Sequence, residues 1–196
     1  MKCDELDELH YIAPLSNVLS ICQLGILSHR KVKEVEHDSV AMQEIQDRRA
    51  KVVVPGGRRL HEYVNLYVCA RNPMLYKRQA QHADLCILRI APEVLDLPDV
   101  VVTDANASSP YVRFAAAPGG IRIVDRDLTF AEYWTDPDRI QYFRRKSAKC
   151  AEVLVPERVE PRLLIGAYVS CDESMARWNT LRVPISAVID RHLFFR

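Results

Sequence analysis

Ile45-Gln46-Asp47-Arg48-Arg49, then Pro55-Gly56-Gly57, then Leu60-His61-Glu62-Tyr63-Val64, then Tyr67-Val68-Cys69 and Arg71-Asn72-Pro73-Met74-Leu75-Tyr76 follow one another within the first half of the chain. An arginine-bearing helix, a tight glycine turn, an aromatic strand and an Arg-Asn-Pro corner stand in close order. A generic core does not need so many polar anchors in so short a span. A pocket for an anionic, ring-bearing ligand does.

Outward from this stretch, strands dominate. Tyr63–Cys69, Leu85–Ile90, Val100–Thr103, Glu152–Val155, Leu163–Val169 and Leu181–Val183 carry β-branched and apolar residues in strand-length runs. His10-Tyr11-Ile12 reads as a further short strand. Ser16 caps a helix that runs to Leu24 and stops at Gly25. A second helix spans Ser39–Arg49, with Val40, Met42 and Ile45 toward its apolar side. Residues 104 to 149 form a long polar loop with helical pieces near Phe130 and from Arg139 to Lys146, and loops this long inside a domain are usually functional. With few helices and no βαβ alternation, the pattern predicts an α+β fold in one domain spanning residues 1–196.

Composition narrows the function. The 196 residues are 48% hydrophobic and 27% charged, which suits a globular domain with a sizeable core. No apolar run approaches the ~20 residues that span a bilayer, and the acidic start Met1-Lys2-Cys3-Asp4-Glu5 does not read as a signal peptide. Six scattered cysteines without a C-x-x-C pair suit reduced thiols in the cytoplasm rather than disulfides or zinc. The six histidines are dispersed, so no metal is expected. The net charge of +1 shows no global attraction to nucleic acid, yet the basic residues cluster at Arg48/Arg49/Lys51, Arg58/Arg59 and Arg144/Arg145/Lys146/Lys149. G-x-G-x-x-G, G-x-x-x-x-G-K-[ST], G-x-S-x-G and H-E-x-x-H do not occur.

Two residues stand out. Glu152 enters the apolar run Val153-Leu154-Val155 directly after the long loop; it is either an ordinary strand-edge glutamate or a catalytic carboxylate at the mouth of a cleft. Arg49 is either a solvent-facing partner of Asp47 or Glu44, or a planar fork that holds a ligand's oxygens. Tyr63, Tyr67 and Tyr76 read first as core aromatics, and His61 as a satisfied polar residue.

The ordered set resembles the DarT family, the DNA ADP-ribosyltransferase toxins of DarT–DarG toxin–antitoxin pairs. His10-Tyr11-Ile12 with Asn17 and Gly25-Ile26-Leu27 carry it at the front. The segments quoted above carry it in the middle, and Tyr133-Trp134, Asp136-Pro137 and Ala151-Glu152-Val153-Leu154-Val155 complete it. The resemblance implies an ADP-ribosyltransferase fold with a split β-sheet core, N-terminal helices and a substrate-recognition loop over residues 104 to 149. It implies that NAD⁺ is the co-substrate and that ADP-ribose passes to a base in single-stranded DNA. By position, Arg49 and Glu152 match the catalytic pair. His10, Tyr11, Ile12, Asn17, Arg49, Tyr67, Arg71 and Met74 match the surroundings of NAD⁺, and residues 28 to 49 match the element that folds over it. Asn106, Arg113, Arg144 and Arg145 are the expected DNA contacts. The implied partner is a DarG-like macrodomain antitoxin.

Two departures bear on specificity. The chain has His10-Tyr11 where some relatives show Tyr-His. It also has Asp104-Ala105-Asn106 where thymidine-modifying relatives can carry a histidine after Thr-Asp. The Asp104 carboxylate and Asn106 amide suit guanine's donors, so the loop favours guanosine over thymidine. The alternatives are a same-fold enzyme acting on RNA or protein, and a non-catalytic nucleic-acid-binding module.

Overall fold

The computed structural model describes residues 1–39 and 43–196. Its centre is a sheet of eight strands: β1 (Leu9–Pro14), β3 (Tyr63–Tyr67), β4 (Leu85–Ile90), β5 (Val101–Thr103), β6 (Phe114–Ala116), β7 (Glu152–Pro156), β9 (Leu164–Val169) and β10 (Ala187–Ile189). Their order is β10-β9-β4-β1-β3-β7-β5-β6, and every pairing is antiparallel except β9 with β10. Two short strands, β2 (Ile26–Leu27) and β8 (Arg158–Val159), pair separately.

The sheet is firm on both sides and thin in the middle. Six residue pairs join β1 to β4 and five join β3 to β7. Between β1 and β3 the one registered pair among the described residues is His10 opposite Tyr67. The strands part beyond it, which is the split expected of the core.

One face of the sheet is packed by Leu9, Leu66, Leu88, Val153 and Val169 against Val18 of α1 (Val18–Leu24) and Trp178 of α7 (Asp172–Leu181). The other face carries Ile12, Tyr67, Ile87 and Cys150, covered by Leu75 of α4 (Pro73–Lys77) and by Phe194. The Arg-Asn-Pro corner is built as read. Asn72 caps α4 by accepting from the Met74 and Leu75 amides, and Pro73 occupies the first turn, where a missing N–H costs nothing.

Several expectations need correction. Leu181–Val183 is not a strand: α7 runs on to Leu181 and Arg182 takes a left-handed cap at φ 51°. The strand comes later, as β10, and β9-α7-β10 is a parallel crossover. Phe114–Ala116 forms β6, paired with β5 inside the stretch read as loop. The helical pieces expected there are present as α5 (Arg126–Phe130) and α6 (Arg139–Ala148). Ser16 does not cap α1, because it lies in a 3-10 turn and its hydroxyl donates to Asp38 at 2.6 Å. The helix expected over Ser39–Arg49 is described as α3 (Gln43–Arg49), and a short helix not expected from the sequence, α2 (His29–Val32) capped by Ser28, precedes it. Val40 and Met42 lie outside the described residues.

Glycine is required at two corners. Gly25 ends α1 at φ 82°, and a Cβ there would sit 2.3 Å from the Val159 carbonyl oxygen. At Gly57 a Cβ would come within 2.7 Å of the Tyr63 hydroxyl, which also accepts from the Arg58 amide.

Candidate active site

A cleft of about 1240 Å³ opens where the sheet splits. Ordinary small-ligand pockets measure about 300–1,000 Å³, so this one has room for a dinucleotide with more beside it. Tyr11, Ile12, Tyr63 and Tyr67 line it from the two sides of the split. His29, Val35, His37 and Asp38 cover it from the segment after α1, and Asn106, Arg113, Phe143 and Arg144 form the wall from the long loop.

The covering segment is pinned at its start, where Arg30 pairs with Glu157 at 2.7 Å, and again at Asp38. Asn17 holds the Asp38 backbone through both ends of its amide, at 3.0 Å to the amide nitrogen and 2.7 Å to the carbonyl. Asn17 is thus at the cleft as expected, though its amide is spent on the cover.

The floor is a row across three strands. His10 stands opposite Tyr67, and Tyr67 opposite Glu152. Glu152 has 0% exposure. Its carboxylate oxygens accept from Arg49 Nη1 at 3.0 and 3.2 Å, and Oε1 also takes a long bond from the Ala107 amide at 3.5 Å. Below it the backbone is fixed by the Thr103 hydroxyl, which the Glu152 amide reaches at 3.1 Å. Burial raises the carboxyl above its ordinary range, and the Arg49 guanidinium pulls part of that back. Burial beside that carboxyl likewise drives the Tyr67 phenol well up. Glu152 therefore does not stand at the mouth of a cleft: it lies beneath one, sealed by Arg49.

Arg49 is equally far from a solvent-facing ion pair. It is buried at the end of α3 with Glu152 as its partner, while its neighbour Arg48 approaches Glu44 at 3.9 Å. Its Nη2, with Gln46 Oε1 and His61 Nε2, is buried without a hydrogen-bond partner among the described residues. All three side chains line the cleft. Buried polar atoms left unpaired are costly, so this cluster fits a polar ligand that brings donors and acceptors of its own. His61 is not the satisfied residue its sequence context suggests. Its ring lies 4.2 Å from that of His29, and burial holds both imidazoles below the usual histidine range, next to the Arg49 charge.

The structure brings Tyr11, Ile12, Asn17, Arg49, Tyr67, Met74, Asn106, Arg113 and Arg144 to the cleft. Three expected residues do not line it. His10 Nε2 bonds Glu8 at 3.0 Å. That carboxylate also takes Arg89 and Tyr168, and although burial pushes it up, the three donors hold it down at about 2. Arg71 bonds the His192 carbonyl and lies 3.9 Å over the Phe195 ring, so it docks the last residues. Arg145 pairs with Asp136 at 3.1 Å. The Pro55-Gly56-Gly57 turn is also outside the cleft; it is closed by the Gly57 amide on the Val54 carbonyl at 2.8 Å, with Gly56 at φ 68°.

The base of the wall has its own anchor. Lys149 is 1% exposed, and its Nζ donates to the Thr129 carbonyl at 3.0 Å and lies 3.4 Å from Cys69 Sγ. One buried ammonium at the end of α6 thus ties α5 to the chain just after β3. The lysine reads in sequence as part of a basic cluster, and nothing local reveals that it turns inward.

Residues 10–195 match the family model described as ssDNA thymidine ADP-ribosyltransferase, DarT. The chain belongs to the DarT family. A DNA ADP-ribosyl transferase–DNA ADP-ribosyl glycohydrolase fusion protein of Thermosipho africanus is 33% identical over 96% of this chain and 49% of its own length. A DNA ADP-ribosyl transferase of Thermus aquaticus is 34% identical over 65% of this chain and 63% of its own. The chain thus spans about half the length of the first DarT relative and under two-thirds of the second. The solved structure of Thermosipho africanus DarTG in complex with ADP-ribose superposes with a TM-score of 0.84 at 30% identity, covering 96% of this chain and 51% of that one. The mixed α/β architecture, with its large and mostly antiparallel central sheet, is the ADP-ribosyltransferase fold of DarT.

Proposed function

We propose that residues 1–196 form one NAD⁺-dependent transferase domain that moves ADP-ribose onto a base of single-stranded DNA. The observation that carries this reading is the buried Arg49–Glu152 pair under a cleft of dinucleotide size, in a chain of the DarT family. In the reaction the bond between nicotinamide and the ribose C1″ breaks and nicotinamide leaves. A bond then forms from C1″ to a base nitrogen, which gives up its proton. Positive charge gathers on the ribose as the first bond lengthens, as in glycoside cleavage. A carboxylate held above its ordinary pKa suits both needs: it stabilises that charge and is a stronger base than an exposed glutamate. Arg49 Nη2 is free to meet the ligand while Nη1 holds Glu152.

Thymidine is the base we assign. The family description favours it. The side chains that suited guanine are engaged within the loop: both Asp104 oxygens accept from Arg113, and Asn106 Oδ1 accepts from the Ser108 amide and hydroxyl. Single strands are preferred because flipping a base from a duplex costs a few kcal/mol. The Thermosipho relative carries a glycohydrolase in the same polypeptide, which supports a macrodomain partner that removes the mark, as in a toxin–antitoxin pair.

The test is mass spectrometry of nucleosides after incubating the protein with NAD⁺ and single-stranded oligonucleotides. An ADP-ribosylated thymidine is expected. An adduct confined to guanosine would overturn the base, and an adduct confined to RNA or protein would overturn the substrate.

A further inference from the structure

Tyr111 is 94% exposed, Ile140 76% and Phe143 54%, and all three line the cleft. None belongs to a buried cluster. Ile140 and Phe143 are three residues apart on α6, so they share one helical face. Large apolar side chains gathered around a cleft mark a binding surface rather than a packing residue. What surrounds them names the occupant. Arg113, Arg144 and Lys146 line the same wall, and the Arg139 guanidinium lies 5.8 Å over the Phe143 ring. Aromatic faces interleaved with cations are what single-stranded nucleic acid requires: rings for the bases, charge for the phosphates. A folded protein partner would need a contiguous apolar patch outside the cleft. This wall faces into it, where an extended chain can pass.

We propose that Tyr111 and Phe143 are stacking platforms for the nucleotides on either side of the modified base. The inference rests on the DNA reading above and adds to it the part that grips the strand. The target base must reach the floor near Glu152, so its neighbours are held at the wall by chain connectivity. Stacking on a ring requires an unpaired base, so the two residues also select single strands before any chemistry. Neither needs a particular base, because every base has a π-face; base identity is then left to the floor of the cleft.

The experiment measures binding of a fluorescently labelled single-stranded oligonucleotide by anisotropy in the absence of NAD⁺. The substrate is either intact or abasic at one position flanking the target. Base–aromatic stacking is worth about 1–3 kcal/mol, so Tyr111→Ala and Phe143→Ala should each weaken binding by about 5- to 150-fold. Tyr111→Phe and Phe143→Tyr should bind like the parent. The abasic position should weaken binding to the parent protein and add little further loss to the matching alanine variant, because both remove the same contact. Equal and additive losses from the abasic site and the alanine variant would overturn the proposal, as would Tyr111→Phe binding as poorly as Tyr111→Ala. A parent protein that modifies no DNA would instead overturn the underlying function.

Discussion

Glu152 has no exposed surface, whereas Tyr111 at the wall of the cleft above it is almost wholly exposed. The floor is made of strand residues fixed on every side. Glu152 is gripped by Arg49, by the Ala107 amide and through its own backbone by Thr103. The wall is made of loop and helix residues tied by surface ion pairs such as Arg113–Asp104 and Arg145–Asp136. The difference is one of physical need. A carboxylate becomes a better base when water is kept from it. A surface that accepts a flexible strand works best with side chains free to adjust.

The floor should be the more fragile half, and the largest effects are expected there. Glu152→Gln keeps the size and the acceptor toward Arg49 but loses the charge, so transfer should fall by about 10²–10⁴-fold while the fold holds. Nucleoside mass spectrometry reads it, and a rate near the parent's would break the assignment of chemistry to the floor. Glu152→Ala is the harsher variant. It leaves the Arg49 guanidinium buried without its partner, a loss of about 3–5 kcal/mol that thermal or urea unfolding would register.

Removing the other partner adds a pH signature. Arg49→Ala should lose most transfer, and Arg49→Lys should recover part of it, since a point charge does not reproduce the fork. In Arg49→Ala the Glu152 carboxyl keeps the upward push of burial without the opposing charge. A carboxyl with a raised folded pKa favours the folded state at low pH and withdraws that support as pH rises from the ordinary carboxylate value through the folded one. The variant should therefore lose more stability relative to the parent at pH 8 than at pH 4. A pH-independent difference would mean that Glu152 is not the group responsible.

At the base of the wall the expected effect is smaller. Lys149→Met keeps the volume and strands the Thr129 carbonyl, which should cost about 1–3 kcal/mol in urea unfolding. If wall and floor are coupled through this lysine, the affinity for an oligonucleotide should weaken with it. The smallest effects separate two adjacent arginines. Arg144→Ala should reduce the salt dependence of DNA binding by about 0.7 in log–log slope, the value for one phosphate contact on a single strand. Arg145→Ala removes an exposed pair worth at most about 1 kcal/mol and should leave that slope alone. Equal slopes for both would dissolve the distinction between the cleft and its outer surface.

These pairs also show what a sequence discloses. The strand from Leu85 to Ile90 matches its observed bounds, and the Asn72-Pro73 corner is built as predicted, because both follow from neighbours in the chain. The strand expected at Leu181–Val183 fails because apolar alternation there belongs to the end of α7 and its left-handed cap. The candidate pair Arg49 and Glu152 was visible, but not that they meet: 103 positions separate them, and only the sheet brings them together. Arg71 takes the backbone of His192 as a partner, 121 positions away, which no local pattern announces. Tyr111, Ile140 and Phe143 left a signal that could have been used. Each is a large apolar residue in a strongly polar stretch, where core packing gives no reason for it.

The thin junction between β1 and β3 has a consequence for inhibition. Beyond the His10–Tyr67 pair these strands turn main-chain edges toward a cleft instead of toward each other. A small molecule wedged there could take hydrogen bonds from peptide groups that a complete ladder would have used up. Such a compound would grip what every substitution leaves in place. Escape by point mutation would then require reshaping the strands themselves, and the six pairs holding β1 to β4 and the five holding β3 to β7 leave little freedom for that.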